Sequence, residues 1–314
     1  MSRIRPVFIF SLPRSGSTLL QRAVATHPSI ATISEPWVLL PVLYYLKDRG
    51  VYAEYAHLAA RQARRDLLEA LPDGEADYLA AMREGVLELY QRLAGPEATH
   101  FVDKTPRYHL VCEEIIRMFP DASFVFLWRN PLSVLASLSR TWGEGRWNAF
   151  RFEVDLERGL PLLIEAYQKH RERTFALRFE DLVADPRAAL DPLFEYLGLA
   201  PRESAMHDFS ATELEGELGD QAGVKAYSEI STEPVSKWPE TIHSAYRVSW
   251  CKRYLRRIGE HRLAVMGYEL DALLAALDEV PQRLSALPAD LGYGLYGAAY
   301  GLVKKLALRL GKVQ

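Results

Sequence analysis

Cysteine is scarce: 314 residues hold two, Cys112 and Cys251, with no C-x-x-C spacing. Nothing therefore suggests a disulfide framework or a thiolate zinc site, and a reducing compartment fits. Positive charge is not in excess either, the formal net charge being −3. That balance argues against a nucleic-acid binder, so any anion site has to be local. Long apolar runs are missing: Leu291–Val303 is uncharged over 13 residues, short of the roughly 20 that span a bilayer as a helix. Met1–Arg5 is polar and basic, and the apolar stretch behind it is too short and strand-like for a signal peptide, so the expectation is a cytoplasmic protein. What is present, 49% hydrophobic and 25% charged residues, is a globular composition. The length fits one α/β domain over about 1–280, with an accessory tail over 281–314.

The chain is organised around Val7–Leu20, V-F-I-F-S-L-P-R-S-G-S-T-L-L. Val7–Phe10 reads as a buried strand, the Pro13 to Gly16 punctuation ends it, and an amphipathic helix starts at once. A strand, turn and helix N-terminus of this kind cradles an anion, because backbone N–H groups and the positive end of the helix dipole face it. Arg14 and the hydroxyls of Ser17 and Thr18 add donors. Against the nucleotide-triphosphate loop G-x-x-x-x-G-K-[ST], Ser11 replaces the first Gly, Gly16 keeps the second, and Ser17 stands at the Lys position. The loop is suited to phosphate but not to a triphosphate with magnesium.

The first helix runs through Leu19–His27 to Pro28, and a short strand, Ile30–Ile33, delivers Ser34-Glu35-Pro36-Trp37 to the same sheet edge. Helical spacing over Tyr52–Leu71 and Tyr78–Leu93 marks about 36–95 as an insertion able to wall an acceptor. Thr99–Val102 and Ser123–Trp128 are further strands, ending in Asp103-Lys104-Thr105-Pro106 and Arg129-Asn130-Pro131. Helices are expected over Arg107–Phe119, Leu132–Arg140 and Phe152–Arg173, then a last strand, Phe175–Arg178, and a helix, Ala188–Leu197. The alternation predicts an α/β fold, a P-loop-like parallel sheet with helices on both faces. Residues 200–233 read as a polar loop that orders on ligand binding, and helices over Ile242–Ile258 and Leu270–Leu277 close the domain. Lys304, Lys305, Arg309 and Lys312 follow the apolar run 291–303, which leaves packing on the domain, a dimer mate or an anionic membrane surface as uses of the tail.

Pro13–Thr18 resembles the 5′-phosphosulfate loop of the sulfotransferases that use 3′-phosphoadenylylsulfate (PAPS). The resemblance continues through Ser34-Glu35, Asp103-Lys104-Thr105-Pro106, Arg129-Asn130-Pro131 with Ser137, Arg178–Leu182 and Val235-Ser236-Lys237-Trp238, in the order of the branch that includes the tyrosylprotein enzymes. It implies PAPS as co-substrate, no metal, and an acceptor hydroxyl on a small molecule, glycan, carrier or peptide. By the same resemblance Pro13, Arg14, Ser15, Gly16, Ser17 and Thr18 bind the phosphosulfate, and Arg129 and Ser137 clamp the 3′-phosphate. Arg140 or Thr141 stands in the region of a third phosphate ligand, and Lys237 either touches the donor's phosphate or faces water. Glu35 matches the catalytic base, Arg14 and Lys104 the cations that meet charge on the leaving oxygen, and Ser236 a hydrogen-bond donor to the transferring group. His100 and His109, beside the Asp103–Thr105 turn, read as ordinary surface histidines. Phe179 stands where many relatives carry Tyr, and the cytosolic branch's late R-K-G-x-x-G motif is absent.

Two other classes compete. A P-loop kinase or hydrolase needs the loop Lys and an acid after a buried strand, where this chain has Ser17 and Arg129-Asn130. A nucleotide-binding scaffold without turnover keeps the cradle but has no use for Glu35 together with Lys104.

Overall fold

The computed structural model describes residues 3–48, 57–201, 214, 232–283 and 286–309. Five parallel strands form one sheet in the order β2-β3-β1-β4-β5: β1 Arg5–Phe10, β2 Ile30–Thr32, β3 His100–Asp103, β4 Ser123–Trp128 and β5 Thr174–Arg178. β1 is central, in register with β3 (Val7 opposite Val102) and with β4 (Ile9 opposite Val125). Side-chain alternation sorts the continuous apolar runs onto two faces. Phe8, Phe10, Phe124, Phe126 and Trp128 enter one core, and Val7, Ile9, Val125 and Leu127 the other. The aromatic face is ordered by ring contacts, Phe10 packing on Phe124 and Phe126 at centroid distances of 5.9 and 5.3 Å.

The aliphatic face is covered by α1 (Ser17–Val24), α8 (Phe179–Ala184) and α9 (Pro186–Tyr196). The aromatic face is covered by α2 (Leu39–Tyr44), α4 (Glu75–Leu93), α5 (Cys112–Met118), α6 (Pro131–Thr141) and α7 (Leu160–His170). α3 (His57–Ala70) completes the described part of the insertion. Beyond the sheet lie the short helices α10 (Glu233–Ser236) and α11 (Trp238–Thr241), then α12 (Ala245–Ile258), α13 (Glu260–Val265), α14 (Leu270–Asp278) and α15 (Leu287–Arg309). The polar stretch 200–233, read as a ligand-ordered loop, lies outside the described residues except at its ends and at residue 214.

Several sequence expectations are corrected. The single helix expected over Phe152–Arg173 is a 3-10 turn at Ala149–Phe152, a π turn at Val154–Gly159, α7, and a second 3-10 turn at Arg171–Arg173. The helix expected from Arg107 begins as a 3-10 turn, Pro106–Leu110, before α5. α1 stops at Val24, short of His27. His100 and His109 are both buried rather than on the surface. His109 explains the π turn: a Cβ on Gly159 would stand 2.0 Å from its Cδ2, so the wider turn passes its backbone over the imidazole.

Candidate active site at the carboxyl edge of the sheet

All five strands point their carboxyl ends to one edge, where a parallel α/β sheet binds ligands. The loop after β1 turns through two left-handed residues, Arg14 at φ 66° and Gly16 at φ 90°. Gly16 is required twice over, since a Cβ would sit 2.3 Å from Cδ2 of Phe179. α1 starts immediately, with no side-chain cap and no acid in its first turn. Its opening N–H groups and dipole are thus presented with the donors of Ser15, Ser17 and Thr18 around them.

Two loops away, the Lys104 ammonium donates to Glu35 Oε1 at 2.7 Å and to Thr18 Oγ1 at 3.3 Å. Both partners of this ion pair are shielded, the side chains being 2% and 8% exposed. Glu35 Oε2 accepts from Trp37 Nε1 at 3.2 Å, and the Trp37 N–H donates to Thr105 Oγ1 at 3.3 Å. Trp37 pays for that closure with a left-handed φ of 55°, which a bulky residue adopts only under tertiary constraint. The strand below is tied to α1 by buried Gln21, whose Nε2 donates to Thr32 Oγ1 (2.8 Å), Ile33 O (2.7 Å) and Ser34 O (3.0 Å).

On the other side of the cradle, Arg129 uses its guanidinium as a clip. Nη1 donates to Arg14 O at 2.8 Å, Nη2 to Pro234 O at 3.0 Å, and Cζ lies 4.2 Å from the Phe179 ring centroid. Arg14 in turn donates from Nε to Ser137 Oγ at 3.2 Å. The loop after β1, the end of β4, α6 and α10 therefore meet at one place. Ser236 is exposed there and donates to Glu233 O at 3.3 Å, and Lys237 pairs with Glu233. Arg140 and Thr141 are exposed at the far end of α6. Asn130 starts α6 by accepting the Leu132 N–H at 2.9 Å, with Pro131 in the first turn.

Sequence reading missed three supports. Gln21 is one and Phe179 another. The third is Asp103, fully buried, which accepts from Tyr90 Oη at 2.5 Å, Tyr108 Oη at 2.8 Å and Thr105 Oγ1 at 3.2 Å. Burial pushes its carboxyl up to about 6, against the pull of those hydroxyls and of Lys104. Both phenols are pushed well above their ordinary range by burial and the carboxylate, so they stay donors. The run Asp103-Lys104-Thr105 showed which residues lie together, but not that α4 and the 3-10 turn supply the phenols. Glu180 works similarly, accepting from the Asn130 N–H at 3.0 Å and from Tyr268 Oη at 2.7 Å.

The sequence model of a family described as the Sulfotransferase family matches residues 6–203, from the first strand past α9. The chain belongs to the sulfotransferase family. The chain is 26% identical over 291 residues to nodulation protein NoeE of Sinorhizobium fredii (strain NBRC 101917 / NGR234), covering 83% of this chain and 65% of that protein. Protein-tyrosine sulfotransferase 2 of Gallus gallus is 21% identical over 244 residues, 74% of this chain and 62% of that one. The chain thus spans under two thirds of the length of each of these relatives. Among solved structures, the sulfotransferase domain from the curacin biosynthetic pathway shares the fold at a TM-score of 0.53 and 23% identity, over 82% of this chain and 98% of that one.

Proposed function

We propose that this protein transfers a sulfonate group from PAPS to a hydroxyl of its acceptor, with Glu35 as the general base. The observation that carries the reading is the Lys104 ammonium, one buried cation touching both the cradle hydroxyl of Thr18 and the Glu35 carboxylate. It ties the anion loop to a carboxylate, so that a base and a phosphate-binding turn share one buried cation. The donor set fits the group: an uncapped helix N-terminus, hydroxyls and arginines, with no acid in the first turn of α1.

In this reading Pro13, Arg14, Ser15, Gly16, Ser17 and Thr18 hold the 5′-phosphosulfate, Arg129 and Ser137 the 3′-phosphate, and Lys237 borders the donor. PAPS, when bound, supplies the sulfonate and departs as adenosine 3′,5′-bisphosphate. Glu35 takes the proton of the acceptor hydroxyl at its carboxylate. Lys104 and Arg14 stand where negative charge builds in the crevice, a contact worth most in the transition state. Ser236 adds a hydroxyl donor from α10. The catalytic unit is taken as 1–280, with 36–95 walling the acceptor and 281–314 appended. The acceptor class stays open among small molecules, glycans, carriers and peptides.

The test is labelled-sulfate transfer from PAPS across a library of hydroxylated acceptors, with calorimetry alongside. Transfer that Glu35→Gln abolishes, together with magnesium-free binding of adenosine 3′,5′-bisphosphate, supports the reading. Binding of the bisphosphate with no transfer to any acceptor assigns a scaffold, and magnesium-dependent ATP binding in its place assigns a kinase.

A further inference from the structure

α15 meets the domain with one face only. Asp290 is buried and accepts from Arg247 Nη2 (2.8 Å) and Nε (2.9 Å) and from Ser244 Oγ (2.6 Å). One and two turns on, a Cβ on Gly294 would stand 2.1 Å from Tyr246 Oη, and one on Gly297 2.7 Å from Phe150 Cδ1. The glycines are thus spent on close approach to the domain.

The opposite face is apolar and open to solvent. Leu295 is 75% exposed, Val303 65% and Leu302 62%, with Leu291 beside them, while Tyr296, itself exposed, turns its ring against Phe150 of the domain at a centroid distance of 5.6 Å. Half of the large apolar side chains exposed among the described residues sit on this one helix. No charged residue occurs between Asp290 and Lys304. A surface helix in water carries its charges outward; between Asp290 and Lys304 this one has none to carry. Lys304, Lys305, Arg309 and Lys312 then follow without an acid among them.

A bilayer surface supplies what both features lack, an apolar layer beside an anionic one. The 13 uncharged residues reach about 20 Å as a helix, and among the described residues no helix is long and apolar enough to cross a membrane. The helix would lie in the interface plane. Tyr293, together with Tyr296 and Tyr300 whose rings also rest against Phe150, suits headgroup depth, where amphipathic rings collect. A crevice of about 510 Å³ continues the surface from α15 to the exposed Trp142, lined by Arg146 and Arg151 as well as Glu144 and Glu153. A second copy of α15 would not complement the basic end, since the helix has one acid, Asp290, and that is buried against Arg247.

We propose that α15 seats this protein on an anionic phospholipid surface, with Leu291, Leu295, Leu302 and Val303 at the acyl boundary and the basic end against headgroups. The inference is independent of the chemistry proposed for the sheet edge. Full-length protein is sedimented with vesicles of phosphatidylcholine alone and of phosphatidylcholine with a minority of phosphatidylglycerol. Binding to the second kind, weakened by salt, is expected. Leu295→Glu with Leu302→Glu abolishes it without moving the thermal midpoint, because both side chains are exposed. Lys304→Gln with Lys305→Gln lowers partition roughly thirtyfold, at about 1 kcal/mol per basic residue. Recovery of the protein in the supernatant of both vesicle types overturns the proposal, as does undiminished binding by the leucine variant. A dimer in sedimentation velocity that the leucine variant splits assigns the face to a second copy instead.

Discussion

Lys104 Nζ lies 2.7 Å from Glu35 Oε1, and both side chains are almost fully removed from solvent. The pair bridges the ends of β2 and β3, neighbours in the sheet that the helical insertion separates in the chain, across the parallel register that sets Thr32 beside Val102. A buried ion pair is a poor source of stability but a strict positional device, because losing either charge strands the other. Here the cation also touches Thr18, so the acid, the cation and the first helix are fixed relative to one another.

That coupling separates activity from stability. Glu35→Gln keeps the shape of the side chain and should lower kcat by about two to four orders of magnitude, the range for a removed general base. It should also cost a few kcal/mol, because buried Lys104 loses the carboxylate charge it donates to. Adding Lys104→Met to Glu35→Gln should restore much of the stability and none of the activity. Urea denaturation and single-turnover rates on the wild type and the two variants check both halves; recovery of turnover in the double variant removes Glu35 from the chemistry.

Arg129 bridges two carbonyls and covers a ring at once, which a guanidinium can do and an ammonium cannot. Arg129→Lys should therefore weaken bisphosphate binding by roughly a hundredfold, at about 1.5–3 kcal/mol for lost hydrogen bonds to a charged group. Proteolysis at 232–238 should speed up as α10 loses its tie at Pro234. Calorimetry with limited digestion reads both, and unchanged cleavage would confine Arg129 to ligand contact.

Much of the frame was legible in the chain. Short apolar-rich runs closed by polar turns located all five strands, most plainly β1 and β4, which are buried on both faces. The same runs placed Arg14, Glu35, Lys104 and Arg129 at strand ends, and a parallel sheet brings strand ends to one edge. Supports carried by packing left no such trace. Gln21 sits on an ordinary amphipathic helix, and its three acceptors lie in a different strand and loop. Phe179 reads as an apolar residue after a strand, while its role depends on Gly16 and Arg129 approaching from elsewhere. The break at Val154–Gly159 is of the same kind, because the imidazole that displaces the helix belongs to His109, on a separate turn.

Gln21 is a positioning residue by this account. Gln21→Leu removes the two N–H donors that three acceptors share and leaves the carbonyls of Ile33 and Ser34 to find other partners. The expected cost is about 1–3 kcal/mol, with kcat reduced and bisphosphate affinity held, because the cradle itself is untouched. Gln21→Glu separates packing from donation: it preserves volume, donates nothing when ionised, and should resemble Gln21→Leu in kcat. Equal losses of kcat and bisphosphate affinity in both variants would make Gln21 a part of the donor site.

Asp103 sets a pH dependence whose sign follows from its burial. Its carboxyl is pushed up to about 6 in the native protein, above the ordinary value near 4, so the folded chain holds this proton more tightly than the unfolded chain. Linkage then makes its contribution to stability full below about pH 4, declining as pH rises through about 6, by a total on the order of 3 kcal/mol. Asp103→Asn removes the titration and keeps an acceptor for one phenol. The stability difference between wild type and this variant should therefore shrink as pH goes from about 4.5 to 7.5, other titrations cancelling in the difference. Urea midpoints across that range decide it. A difference that grows with pH would mean that the hydroxyls of Tyr90, Tyr108 and Thr105 outweigh the cost of burying the charge.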